Sequence, residues 1–102
     1  MRVLERHTQT LEKGGWEIYV AKEKRWEEVE ARLGGFPTKR HYWPFSKWNS
    51  TVAVWEREWE SFAAMEAAYE KFGGDPESEA LGDVPSATID GSVELFSVAT
   101  VV

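Results

Sequence analysis

Three glycine pairs, Gly14-Gly15, Gly34-Gly35 and Gly73-Gly74, punctuate this chain, and the spacing of apolar residues between them separates helix from strand. Ahead of the first pair, Arg2 to Leu11 mixes Val, Leu and Thr with polar residues, as a strand does. Behind it, Tyr19, Trp26, Val29 and Leu33 recur at helical spacing with Lys22 on the same stripe, which predicts an amphipathic helix from Trp16 to Leu33. Glu23, Lys24, Glu27, Glu28 and Glu30 fall on its other faces and read as a solvated acidic surface. Gly34-Gly35 supplies the positive-φ residue that ends the helix, and Pro37 follows. Thr38 to Trp48 is aromatic-rich and reads as a second strand, with Pro44 marking an edge or a bulge. Asn49-Ser50 is a tight turn, and Thr51 to Trp59 sets Val52 and Val54 against Ala53, Trp55, Arg57 and Trp59, completing a hairpin. Ser61 caps a second helix, Phe62 to Phe72, whose stripe is Phe62, Met65, Tyr69 and Phe72. Asp75-Pro76-Glu77 opens a short helical turn reaching Leu81. Gly82 to Gly91, with the turn signal Asp90-Gly91, reads as loop, and Ser92 to Val102 as the last strand.

Strand, helix, hairpin, helix, strand is the order of two interleaved βαβ units. The predicted fold is α+β: a ferredoxin-like βαββαβ domain spanning 1–102, with a four-stranded antiparallel sheet and two helices on one face. Large apolar groups nevertheless fall on both sheet faces. Val52 and Val54 oppose Trp55 and Trp59, and Tyr42 and Trp48 oppose Trp43 and Phe45. Six Trp, three Tyr and five Phe are many for 102 residues, and an open face bearing such rings exceeds what a monomer exposes. A second copy stacked face to face, about 10 Å away, buries it. The expected partner is therefore the chain itself, as a homodimer forming an α/β barrel. The uncovered face, around His7, Arg57 and the neighbouring tryptophans, becomes the place to look for a site.

Composition narrows the function. Cysteine is absent, which removes disulfides, thiolate catalysis and cysteine metal sites. The opening MRVLERHTQT has no apolar core of a secretory leader, and no apolar stretch approaches the roughly 18 residues of a membrane span. A cytoplasmic protein without membrane partners is expected. A net charge of −6 and a pI near 4.9 argue against nucleic-acid binding, although Lys39, Arg40, His41 and Lys47 form a local basic stretch. RNA-recognition motifs share this element order, but Thr51–Trp59 lacks their basic, glycine-containing aromatic segment.

Two stretches carry a family resemblance. LERHTQTLEKG, Leu4–Gly14, resembles the strand-then-Lys-Gly opening of NIPSNAP domains, where a family arginine falls near His7. VWEREWESFAAMEAAYEKF, Val54–Phe72, is similar to the third strand and Ala-rich second helix of the dimeric α/β-barrel superfamily, including its antibiotic-biosynthesis-monooxygenase-like members. The resemblance implies a homodimer with a cavity between sheet and helices. It does not imply a shared reaction, because the fold hosts oxygenases, isomerases, haem enzymes and proteins of unknown role.

The candidate catalytic residue is His7: histidine is the side-chain type that titrates near neutrality without perturbation, and on a strand facing a cavity it can act as general base. The bland alternative is a satisfied interior or interface histidine. Candidate ligand-binding residues are His41, Trp43, Trp55, Arg57 and Trp59. Arg57, between Trp55 and Trp59, can stack on rings and offer donors to an anion, or stiffen the sheet by pairing with Glu5, Glu56 or Glu58. The tryptophans can equally be core or dimer interface. His7, His41, Glu5 and Glu56 can be assembled into a metal site only on paper, since no ligand spacing supports one. No motif implies a cofactor. Three functions stay open: binding of a small apolar or aromatic ligand between sheet and helices, a cofactor-independent monooxygenase or isomerase using His7, and a non-catalytic protein-interaction module.

Overall fold

The computed structural model describes residues 1–42 and 51–99. The elements run β1 (Val3–Leu11), α1 (Trp16–Leu33), β2 (Arg40–Tyr42), β3 (Val52–Trp59), α2 (Phe62–Glu70), α3 (Pro76–Gly82) and β4 (Thr88–Ser97). The sheet order is β2-β3-β1-β4, with antiparallel neighbours throughout. This is the ferredoxin-like α+β arrangement, with α3 inserted before the last strand.

Local chemistry explains the limits. Gly34 ends α1 at φ 79, and its N–H reaches back to the carbonyl of Glu30. Ser61 accepts the Ala64 N–H at 3.0 Å, and Asp75 accepts the Ser78 N–H at 2.9 Å ahead of Pro76. The hairpin tip with its Asn49-Ser50 turn, Trp43, Pro44, Phe45 and Trp48 lie outside the described residues, as does the expected strand end at 100–102.

Alternation assigns each strand residue to a face. Val3, Glu5 and Leu11 of β1, with Ala53, Trp55, Arg57 and Trp59 of β3, are buried on the side facing the helices. Four of them, Val3, Leu11, Ala53 and Trp59, belong to two apolar clusters. Val3 and Trp59 pack with Met65 and Ala68 of α2, while Leu11 and Ala53 pack with Tyr19 of α1. Each large side chain so buried contributes about 1.5–3 kcal/mol.

The opposite face corrects an expectation. Trp55 and Trp59 are under the helices, so the open face holds Leu4, Thr8, Val52, Val54, Tyr42 and Phe96 interleaved with ion pairs. Arg6 Nε meets Glu56 at 3.0 Å, and Arg2 meets Glu58 at 3.1 Å. His7 and Arg57 also lie on the covered side, so any site built from them sits between sheet and helices, not on the uncovered face.

Other differences have local causes. Asp90-Gly91 is no turn: it lies inside β4, paired with Thr10 and Gln9. The chain reverses earlier, at Ala87 with φ 60, whose carbonyl accepts the Glu12 N–H at 2.7 Å. Phe62 is exposed, because α2 buries Met65 and Ala68 and turns its first residue outward. Glu30 is buried, not solvated, and Glu23 is half-buried against Lys39.

Tyr19, 3 % exposed, keeps a hydroxyl with no partner inside the second cluster. Burial, and then Glu23, raises its pKa above the ordinary range, so the group stays neutral. An unpaired buried hydroxyl costs about 1–3 kcal/mol. Tyr19→Phe should therefore leave stability unchanged or raise it by about 1 kcal/mol in urea unfolding, and a loss of that size would show that the hydroxyl has an essential partner.

Candidate functional site

Between the two apolar clusters lies a belt of charge. β1 places Glu5 and His7 two residues apart on the covered face. β3 sets Arg57 opposite Glu5 and Trp55 opposite His7. Glu30 comes down from α1 and Tyr69 from α2.

Each nitrogen of the central guanidinium donates to a member of this group. Arg57, whose side chain is 1 % exposed, donates from Nε to Glu5 Oε1 at 3.0 Å, from Nη1 to Glu30 Oε1 at 2.9 Å and from Nη2 to the Tyr69 hydroxyl at 2.8 Å. Its guanidinium carbon lies 5.0–5.4 Å from the ring centroids of Phe36, Trp55, Trp59 and Tyr69. Trp59 Nε1 donates to Glu5 Oε1 at 2.9 Å, and the Tyr69 hydroxyl donates to Glu5 Oε2. His7 Nε2 lies 2.7 Å from the same Oε2. Lys39 stands 4.3 Å above the Trp55 ring, 3.2 Å from Glu23 and 3.7 Å from Glu30. The two buried carboxylates, Glu5 and Glu30, are thus matched by two cations.

The charge states follow. Burial pushes the Glu5 carboxyl up, but hydrogen bonds from His7, Tyr69 and Trp59 and the charge of Arg57 outweigh it and bring the value down to about 2. Burial holds the Tyr69 hydroxyl above its ordinary range; Arg57 draws it down, and the bond to Glu5 draws it up again. Glu5 is an anion here, and Tyr69 keeps its proton.

His7 is the member of this belt that reaches outward. Its ring stacks on Trp55 with centroids 3.8 Å apart and planes 11° apart, and 20 % of its side chain is open. Its cross-strand neighbour on the other side is Val93 of β4, which is exposed. His41 shares the covered face through its pairing with Trp55, but its Nε2 is 3.2 Å from Glu27 on α1. Trp55, Arg57 and Trp59 are gathered around His7 and Glu5 as buried walls, with the Arg57 donors turned inward. Trp43 lies outside the described residues. Glu56 lies on the open face, away from Glu5 and His7, and no cluster of metal-ligating side chains occurs among the described residues. A groove of about 230 Å³ beside Glu30, Phe36 and Lys39 backs onto the belt. A second, of about 480 Å³, runs between Met1, Phe62, Leu95 and Phe96.

Sequence reasoning treated Glu5 as an ion-pair option or a metal ligand on paper, and missed Glu30. The signal for Glu30 was phase: it follows Tyr19 by eleven residues, about three helical turns, and so falls on the buried stripe.

No family model and no curated protein matches this chain. Solved structures do. An uncharacterized NIPSNAP-like domain protein from Burkholderia xenovorans superimposes with a TM-score of 0.76 at 9 % identity, covering 97 % of this chain and 86 % of that one. SnoaB, a cofactor-independent oxygenase from Streptomyces nogalater, gives 0.72 at 16 % identity, covering 98 % and 95 %. A dimeric ferredoxin-like protein of unknown function from Jannaschia gives 0.63 at 13 % identity, covering 96 % and 100 %. The chain has the ferredoxin-like α+β fold that NIPSNAP-like proteins and a cofactor-independent oxygenase share.

Proposed function

We propose that this chain binds a small, flat, largely apolar ligand on the covered side of its sheet, with His7 as the polar contact, and that it works as a homodimer. The observation that carries the ligand reading is the setting of His7. A half-open imidazole is stacked on one indole and tied to a buried anion, while the charges behind it are neutralised within the protein. Such a group can orient a ligand or accept its proton. Cofactor-independent oxygenation is the catalytic form of the same reading, and the likeness to SnoaB supports it at the level of fold.

Tryptophan fluorescence reports binding, because Trp55 touches His7. A screen of planar aromatic compounds should yield ligands that quench it, and His7→Ala should weaken them at least about tenfold, the loss of one hydrogen bond of about 1.4 kcal/mol. A His7→Ala variant equal to wild type for every ligand removes the reading.

The dimer rests on β4. Ile89, Val93, Leu95, Phe96 and Val98 are all exposed along this edge, on both faces, and a related fold is described as dimeric. Sedimentation should give twice the chain mass of 11.7 kDa, whereas a monomer at every concentration removes the dimer.

A further inference from the structure

We infer that Glu5 is a positioning residue that fixes His7 as its Nε2–H tautomer, so that the imidazole meets a ligand through a basic Nδ1 and selects one arriving as a hydrogen-bond donor. This rests on the ligand site proposed at His7 and adds the chemistry that site recognises.

The argument is one of donors and acceptors. Arg57 Nε and Trp59 Nε1, at 3.0 and 2.9 Å from Glu5 Oε1, always carry a proton and can only donate. The Tyr69 oxygen already accepts from Arg57 Nη2 at 2.8 Å, so its own proton goes to Glu5 Oε2. A carboxylate facing a guanidinium and receiving these bonds has no proton to give. The 2.7 Å contact between Oε2 and His7 Nε2 is therefore a bond in which the imidazole donates. In a neutral imidazole Nδ1 is then a bare acceptor.

Stacking on Trp55 holds the ring plane, and no described residue hydrogen-bonds Nδ1. The other charges near the pair are Arg57 on β3, Glu30 on α1 and Lys39 ahead of β2, and these three satisfy one another. A carboxylate or phosphate finds no donor on such a ring. A hydroxyl, an N–H or an acidic C–H finds an acceptor. If the proton transfers, the ligand's O–H, N–H or C–H bond breaks, Nδ1–H forms, and the ligand is left as its conjugate anion. The imidazolium so made keeps its Nε2–H on the Glu5 carboxylate, 2.7 Å away.

Long-range proton–nitrogen correlation spectra of the 15N-labelled full chain read the tautomer without any ligand, so this result stands apart from the binding screen. At alkaline pH, where free imidazole is neutral, His7 should show a pyridine-type Nδ1 and a pyrrole-type Nε2 whose proton is visible through its bond to Glu5. Glu5→Gln, whose amide donates as readily as it accepts, should lose the visible Nε2 proton and average the two nitrogens. Tyr69→Phe, which leaves the Glu5–His7 contact intact, should keep the wild-type pattern. Added phenol should move the Nδ1 resonance, and anisole, which lacks the proton, should not. An Nδ1–H tautomer in the wild type, a changed tautomer in Tyr69→Phe, or equal shifts with phenol and anisole would overturn the inference.

Discussion

Replacing Arg57 by alanine should cost about 3–5 kcal/mol, the penalty for leaving buried charge without its partner. The guanidinium binds Glu5, Glu30 and Tyr69 at once, so its loss strands two carboxylates and a hydroxyl in a region closed to water. A chain of this size has only about 5–15 kcal/mol in hand, and each kcal/mol moves Tm by roughly 4–8 °C. The variant should therefore melt at least about ten degrees lower, with a matching fall in the urea midpoint. Arg57→Lys should recover only part of the loss, because an ammonium cannot span three acceptors set apart as a planar fork sets them. An alanine variant within 1 kcal/mol of wild type would mean that the belt is ornamental.

The second large effect is a dependence on acid. Glu5 lies at about 2 in the folded chain against an ordinary 4.5. Its folded value is the lower one, so it stabilises the native state fully above about pH 4.5, and this stabilisation is lost as pH falls towards 2. A shift of that size corresponds to on the order of 3 kcal/mol. Urea unfolding across this range should show stability declining with acid in the wild type. Glu5→Gln should start lower and decline less, having no carboxylate to protonate there. Parallel declines in the two proteins would assign the acid sensitivity to other groups.

Element order is legible in this sequence because its punctuation is chemical. Gly34 takes a backbone conformation other residues resist, Ser61 and Asp75 offer oxygens to free helix N–H groups, and α1 runs from Trp16 to Leu33 as its apolar period requires. Asp90-Gly91 misleads for an equally physical reason. The pair favours a turn locally, but its backbone is held by β1, a contact eighty residues distant that no local pattern reveals. The alternation of Ala53, Trp55, Arg57 and Trp59 is plain, yet alternation says only that they share a face, not which face the helices cover. The same limit hides the belt. Glu30 looks like one more carboxylate on an acidic helix until Arg57, from another element, is seen to need it. His7 is conspicuous as a residue type, but its tether to Glu5 is a matter of side-chain direction, which spacing does not encode.

The position of that belt also bears on how stability responds to temperature. The covered face of the sheet carries two small apolar clusters, at Val3/Trp59 and at Leu11/Ala53, with ionised and hydrogen-bonded groups between them. Unfolding hydrates both kinds of surface, and they pull the heat capacity in opposite directions: apolar area raises it, polar area lowers it. A sheet whose centre is polar therefore gains less heat capacity on unfolding than one with a continuous apolar centre. Its stability curve is correspondingly shallow, so the fold gives up less of its stability on either side of the optimum than a purely hydrophobic core of the same size would.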